Sequence, residues 1–286
     1  MSTETARKKV ALGDLFQKMS KGEMISMLTC YDYPTATFME QAQVDILLVG
    51  DSLGMTVLGY DSTLPVTMEM MIPHAQAVRR GSPNAWLVGD MPYMTYQPST
   101  ESAIRNAGRF MAEAACDCVK LEGGIEMVER VQGIVKSGIP VMGHLGLTPQ
   151  SASALGGFRV QGRSAAQAKQ IVDAARALED AGVYAILLEM VPNRVCQLIT
   201  ERSSVPIISL GSGPHAHGQL LIFHDMFGLY PKFTPKMAKV YGNAGEVIAN
   251  GLKAYVADVT SKRFPQPENW FNMKDEQFEE LKKLLE

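Results

Sequence analysis

Asp45-Ile46-Leu47-Leu48-Val49-Gly50-Asp51-Ser52 is the stretch on which the fold turns. A short apolar run, long enough for one strand, ends on a carboxylate. The same event recurs along the chain. Ala85-Trp86-Leu87-Val88-Gly89 ends on Asp90, and Cys118-Val119 runs into Lys120-Leu121-Glu122. Val141-Met142-Gly143 ends on His144, and Ala185-Ile186-Leu187-Leu188 ends on Glu189. In a parallel α/β barrel every strand points the same way, so the C-terminal ends converge on one mouth. Five such endings predict one polar pocket fed by many strands.

Three further runs complete a set of eight strands: 24–29 before the quoted stretch, then 205–210 and 219–223 near the end. Helical patterns separate them, at 34–43, 67–80, 99–115, 124–137, 164–181 and 193–203, with a short helix inside the first twenty residues. Strands alternating with helices predict a parallel sheet with helical crossovers. An open doubly wound sheet is the alternative, but it binds at one switch point and uses fewer strand ends. The expected fold is therefore a (β/α)₈ barrel over residues 1–265. A C-terminal extension at 266–286 carries an amphipathic helix at 275–285, set off by Pro265 and Pro267.

The 286 residues are 46% hydrophobic and 20% charged, enough for one large core. A net charge of −3 argues against a nucleic-acid binder. No apolar run reaches the roughly 20 residues of a membrane span. Met1 to Lys9 lacks a signal-peptide core. Cys30, Cys116, Cys118 and Cys196 are few and scattered, which predicts buried reduced thiols and a cytoplasmic protein. The 18 methionines read as core filler.

Asp51 and Asp90 end neighbouring strands and suit a hard divalent cation such as magnesium, with Glu122 on the next strand. Alone, each would merely cap a helix or face water. Lys120 and Glu122 are two apart and share a strand face. Lys120 can hold a substrate carboxylate, with a Schiff base or a local ion pair as alternatives. His144 lies between glycines and can hydrogen-bond a substrate. Glu189, among Leu187, Leu188, Met190 and Val191, is expected to have a raised pKa and to act as a general base. Gly211-Ser212-Gly213 sits where barrels often bind phosphate.

Several strings together resemble the ketopantoate hydroxymethyltransferase family. They include Val49-Gly50-Asp51-Ser52-Leu53-Gly54-Met55, Asp61-Ser62-Thr63-Leu64-Pro65-Val66-Thr67 and Lys120-Leu121-Glu122-Gly123-Gly124. Gly143-His144-Leu145-Gly146-Leu147-Thr148-Pro149-Gln150-Ser151, Val160-Gln161-Gly162-Arg163, Leu188-Glu189-Met190-Val191-Pro192 and His224-Asp225-Met226-Phe227-Gly228 belong to the same set. The resemblance implies a barrel of the phosphoenolpyruvate/pyruvate type, in a large homo-oligomer, often a decamer. It implies transfer of the one-carbon unit of 5,10-methylenetetrahydrofolate to 3-methyl-2-oxobutanoate, giving 2-dehydropantoate. It implies magnesium at Asp51, Asp90 and Glu122, and an oxoacid held among Asp51, Ser52, Asp90, Lys120 and His144. Glu189 is then the proton acceptor. The family pattern has an acid just before Gly218-Gln219, where this chain has His217, and that change is expected to bear on the one-carbon donor. A metal-dependent 2-oxoacid aldolase or lyase, and a catalytically dead barrel used for assembly, are the competing readings.

Overall fold

Eight short runs of Ile, Leu, Val and Met become strands because both of their faces find apolar cover. The computed structural model describes residues 7–286, so Met1–Ala6, part of the N-terminal stretch read above, lie outside the described residues. After α1 (Leu12–Lys21) come β1 (Ile25–Thr29), α2 (Tyr33–Gln41), β2 (Ile46–Val49), α3 (Leu53–Thr56) and α4 (Met68–Gly81). Then follow β3 (Trp86–Asp90), α5 (Thr100–Ala114), β4 (Cys118–Glu122), α6 (Val128–Lys136) and β5 (Val141–Gly146). The second half holds α7 (Ala165–Asp180), β6 (Ala185–Glu189), α8 (Asn193–Thr200), β7 (Ile207–Leu210) and β8 (Gly218–Leu221). It finishes with α9 (Phe223–Met226), α10 (Ala244–Thr260) and α11 (Asp275–Leu285). The strands form a closed barrel in chain order, each parallel to its neighbours, with β8 returning to β1. This is the expected (β/α)₈ barrel.

Alternation along each strand divides the core in two. Inward residues such as Ile25, Met27, Leu48, Val88, Cys118, Met142, Leu187 and Ile208 fill the barrel. Outward residues such as Leu47, Leu87, Val119, Leu121, Ile186 and Leu188 pack under the helices. The lower end is plugged by Leu15 of α1 and by Trp86, whose Nε1 donates to the Tyr184 hydroxyl at 3.0 Å. Burying each large aliphatic side chain contributes about 1.5–3 kcal/mol, which offsets a costly polar layer at the upper end.

The differences from expectation are local. The helix expected over 124–137 opens as a 3₁₀ turn at Ile125–Met127 before α6. α7 starts at the capping box of Ser164 and Gln167, one residue inside its expected start. α10 was not foreseen, although Ile248, Leu252, Tyr255 and Val259 recur at helical spacing. No residue of α10 is buried, and Val247, Ile248 and Leu252 are each more than half exposed. No residue of α11 is buried either.

Gly89, beside Asp90, shows how tightly the strand–helix layer sets the site. A Cβ there would lie 2.6 Å from Cγ of Phe110 on α5. Gly89→Ala is expected to cost about 1–3 kcal/mol by overpacking, read as a fall of several degrees in thermal midpoint. An unchanged midpoint would contradict this packing.

Candidate active site

Strand register assembles the polar layer. Asp90 pairs with Lys120, Glu122 with His144, and Gly146 with Glu189, so consecutive strands present these groups side by side. Asp51 joins them from the turn after β2. All six charged or imidazole side chains are buried.

Lys120 is the hub. Its Nζ lies 2.5 Å from Asp90 Oδ1 and 3.7 Å from Glu122 Oε1. The other Asp90 oxygen accepts from the Asp51 backbone N–H at 3.0 Å. His144 bridges onward, with Nδ1 3.3 Å from Glu122 Oε1 and Nε2 3.3 Å from Glu189 Oε2. Those approaches have ion-pair distance but not hydrogen-bond alignment, so both ring nitrogens and Glu122 Oε1 are without hydrogen bonds. Ser52 opens α3, its hydroxyl 2.8 Å from that of Tyr31.

Gln150 gained no role from sequence, yet it ties the layer together. Its Nε2 donates to Asp51 Oδ2 at 2.9 Å and to the Met91 carbonyl at 3.0 Å. Its backbone N–H donates to Glu122 Oε2 at 3.0 Å, and its Oε1 accepts from the Tyr96 hydroxyl at 2.7 Å. An uncharged amide in a loop carries no pattern of its own. Its place in the Gly143–Ser151 string, at the Thr148-Pro149 turn after a strand end, was its signal.

The electrostatics follow from burial. Burial pushes the Asp51 carboxyl well up, helped by the Asp90 and Glu122 charges and opposed by Lys120. Burial takes Glu122 up to about 7 against the pull of Lys120. Burial also raises Glu189, with His144 opposing. His144 is pushed down by burial and then by Lys120, so its neutral ring keeps one N–H and one lone pair for a ligand. Burial acts to lower Lys120, but the surrounding carboxylates outweigh it and hold the ammonium charged.

Four carboxyl groups therefore face one ammonium, and Glu122 keeps a buried oxygen without a partner. That donor set suits a hard cation. Among the described residues, however, no three Asp, Glu, His or Cys side chains stand together as a ready-made cage. The trio of Asp51, Asp90 and Glu122 expected from sequence is gathered in one layer, but Lys120 stands between Asp90 and Glu122. The fit is to magnesium held by one or two carboxylates, with the remaining positions left to water and substrate oxygens.

Above this floor lies a cavity of about 330 Å³. Met55, Leu147, Phe158, Met190, Ile222, Tyr230 and Phe233 line its walls. A charged floor under apolar walls suits a small acid with an apolar tail.

Two other expectations change. Ser212 does not offer its hydroxyl to a phosphate: it donates to the Leu188 carbonyl at 2.8 Å and accepts from Val191 N–H at 3.0 Å. It thereby fixes the turn that carries Glu189. His217 immediately precedes β8 and so stands at the opposite, N-terminal end of the barrel. Its Nδ1 accepts from Ile207 N–H at 3.0 Å, a role that an acid would fill equally well. The change is structural and does not reach the pocket. All four cysteines are buried and free.

The model for the family described as ketopantoate hydroxymethyltransferase matches residues 9–267. A 3-methyl-2-oxobutanoate hydroxymethyltransferase of Alkaliphilus metalliredigens is 48% identical over 279 residues, 98% of each chain. One of Pseudothermotoga lettingae is 51% identical over 256 residues, 90% of this chain and 97% of its own. Among solved structures, phosphonopyruvate hydrolase in complex with oxalate and magnesium aligns with a TM-score of 0.59 at 12% identity, over 96% of this chain and 95% of its own. A 2,3-dimethylmalate lyase of the phosphoenolpyruvate mutase/isocitrate lyase superfamily aligns at 0.57 and 15%, over 94% and 93%. At such identities these two share the fold.

Removing the hub leaves carboxylates buried without compensation. Lys120→Met is expected to lower stability by about 3–5 kcal/mol, and by less when Asp90→Asn is added. Urea unfolding of the single and double variants checks this; additive losses would contradict the coupling.

Proposed function

The chain belongs to the ketopantoate hydroxymethyltransferase family, and from that premise we propose that it transfers the one-carbon unit of 5,10-methylenetetrahydrofolate to 3-methyl-2-oxobutanoate. The products are 2-dehydropantoate and tetrahydrofolate, on the route to pantothenate. The observation that carries this reading is Glu189: a buried carboxyl, raised in pKa, on the floor that also holds Lys120. In a chain about half identical, over nearly its full length, to enzymes of that name, it supplies what deprotonation beside a keto group requires.

Each residue then has a task. Lys120 and Ser52 bind the oxoacid carboxylate, Lys120 as a fixed positive charge in a dry site. Leu187, Leu210 and Met190 receive the branched tail and keep water from the reacting carbon. Glu189 removes the C3 proton, and His144, with Nε2 3.3 Å from its carboxylate, favours its negative form. Gln150 holds the Asp51 and Glu122 carboxylates in position. Asp51 and Asp90 would hold magnesium, with Glu122 behind them directly or through water; when bound, the ion supplies Lewis-acid polarisation of the keto oxygen.

The acceptor of the C3 proton must be ionised. Because burial raises the Glu189 pKa, activity is present above that raised value and is lost as pH falls through it, above the ordinary carboxylate range. Glu189→Gln is expected to lower 2-dehydropantoate formation by about 10²–10⁴-fold. The rise in thermal midpoint on adding magnesium should survive in that variant and vanish in Asp51→Asn with Asp90→Asn. Full turnover in Glu189→Gln would refute the assignment.

The same reading makes the enzyme a homo-oligomer working in the cytoplasm, a decamer by family likeness, with residues 266–286 as an extension of the catalytic barrel. The reduced thiols support the compartment. The uncovered apolar side chains of α10 support the assembly, since a surface of this kind is normally buried by a partner. Leu252→Glu is expected to shift sedimentation towards smaller species; an unchanged profile would remove α10 from the contact.

A further inference from the structure

His224-Asp225-Met226-Phe227-Gly228 follows β8, and its first residues form α9. The helix is pinned to the pocket rim, because Phe223 N–H donates to Thr29 Oγ1 on β1 at 3.0 Å. Asp225 lines the same cavity as Glu189 and Lys120 and is buried. Among the described residues no hydrogen bond or ion pair reaches its carboxyl, and burial alone sets its ionisation. Its oxygens open into the cavity, and an unpaired carboxyl in a cleft marks a place where a ligand supplies the partner.

Position separates Asp225 from the rest of the acids. Asp51, Asp90, Glu122 and Glu189 come from the β2–β6 arc of the barrel. Asp225 comes from the rim over β8 and β1, beside Ile222 and Tyr230. With the oxoacid held on the first arc, as proposed above, the second arc is left open for the donor.

The reaction needs a second proton-transfer group. The methylene carbon of the donor is bonded to two nitrogens, and both bonds must break before tetrahydrofolate leaves. Glu189 is occupied with the C3 proton. We propose that Asp225 is the catalytic acid–base group that releases the one-carbon unit from the folate donor, an inference that rests on the functional reading above.

The step balances. The Asp225 carboxyl gives its proton to the first nitrogen as that carbon–nitrogen bond breaks, and the bonding pair stays on the nitrogen. The lone pair of the second nitrogen closes a carbon–nitrogen double bond. Water adds to the carbon and gives a proton back to Asp225. The second carbon–nitrogen bond then breaks, its pair staying on nitrogen, which takes the proton of the new hydroxyl as the aldehyde forms. One water is consumed, two N–H bonds and one formaldehyde equivalent result, and no oxidant is needed. Burial takes Asp225 up to about 6, so both of its forms are populated near neutral pH.

The test compares two donors in the full-length enzyme with magnesium. Asp225→Asn is expected to lower kcat with methylenetetrahydrofolate by about 100-fold or more, with KM for it changed by less than about threefold. With formaldehyde as donor, where no carbon–nitrogen bond breaks, kcat should stay within about threefold, as should C3-proton exchange. Asp225→Glu should recover part of the folate-dependent rate. Equal losses with both donors, a rise in KM alone, or undiminished folate turnover would each overturn the proposal. A wild-type enzyme that exchanges the C3 proton but makes nothing from the folate would instead overturn the functional reading, and this inference with it.

Discussion

Lys120 keeps its positive charge in a place where water does not reach it, and the rest of the site is arranged around that fact. Desolvation alone would strip the proton from a buried lysine. Asp90, Glu122 and Asp51 prevent this, and Lys120 in turn makes it tolerable to bury them. The group is only marginally balanced, because the carboxyls outnumber the ammonium. A layer of that composition suits a cation and an anionic substrate, the ligands proposed for it. Gln150 supplies the neutral hydrogen bonds that keep the carboxylates from moving apart.

The barrel makes this arrangement possible. Its closed parallel order brings the upper ends of five strands within reach of one small molecule, and its alternation keeps the lower layers apolar. Two apolar clusters, inside and outside the strand wall, carry the stability that the polar layer forfeits. Small residues such as Gly89 set the depth at which each strand sits against its helix. Ser212 performs the same service for the turn beyond Glu189, through two hydrogen bonds to backbone groups.

Much of this was legible in the chain. The eight strands showed as apolar runs, and their polar endings identified Asp51, Asp90, Lys120, Glu122, His144 and Glu189 before any contact was known. Charge at the end of an apolar run is a strong local signal. Gln150 escaped because its role depends on a loop folding back across 99 residues to Asp51. The role of Ser212 escaped because a glycine-flanked serine looks the same whether it binds phosphate or backbone. His217 misled for a related reason: sequence shows that a residue differs, but not at which end of the barrel it lies. The sequence could not show that Lys120 stands between Asp90 and Glu122, because adjacency of strand ends says nothing of which side chain lies between two others. α10 was legible too, in Ile248, Leu252, Tyr255 and Val259 at helical spacing, but it follows the last strand, where no crossover to a further strand called for a helix.

The central claim is that the floor of this pocket enolises a branched 2-oxoacid without help from the donor. The most direct measurement is proton NMR of 3-methyl-2-oxobutanoate in deuterated water, with the enzyme and magnesium but no folate, and again with a chelator. The account predicts that the C3 proton signal disappears and the methyl doublet collapses to a singlet, at a rate that the chelator suppresses. A C3 proton that persists in the presence of folded, magnesium-loaded enzyme would contradict it.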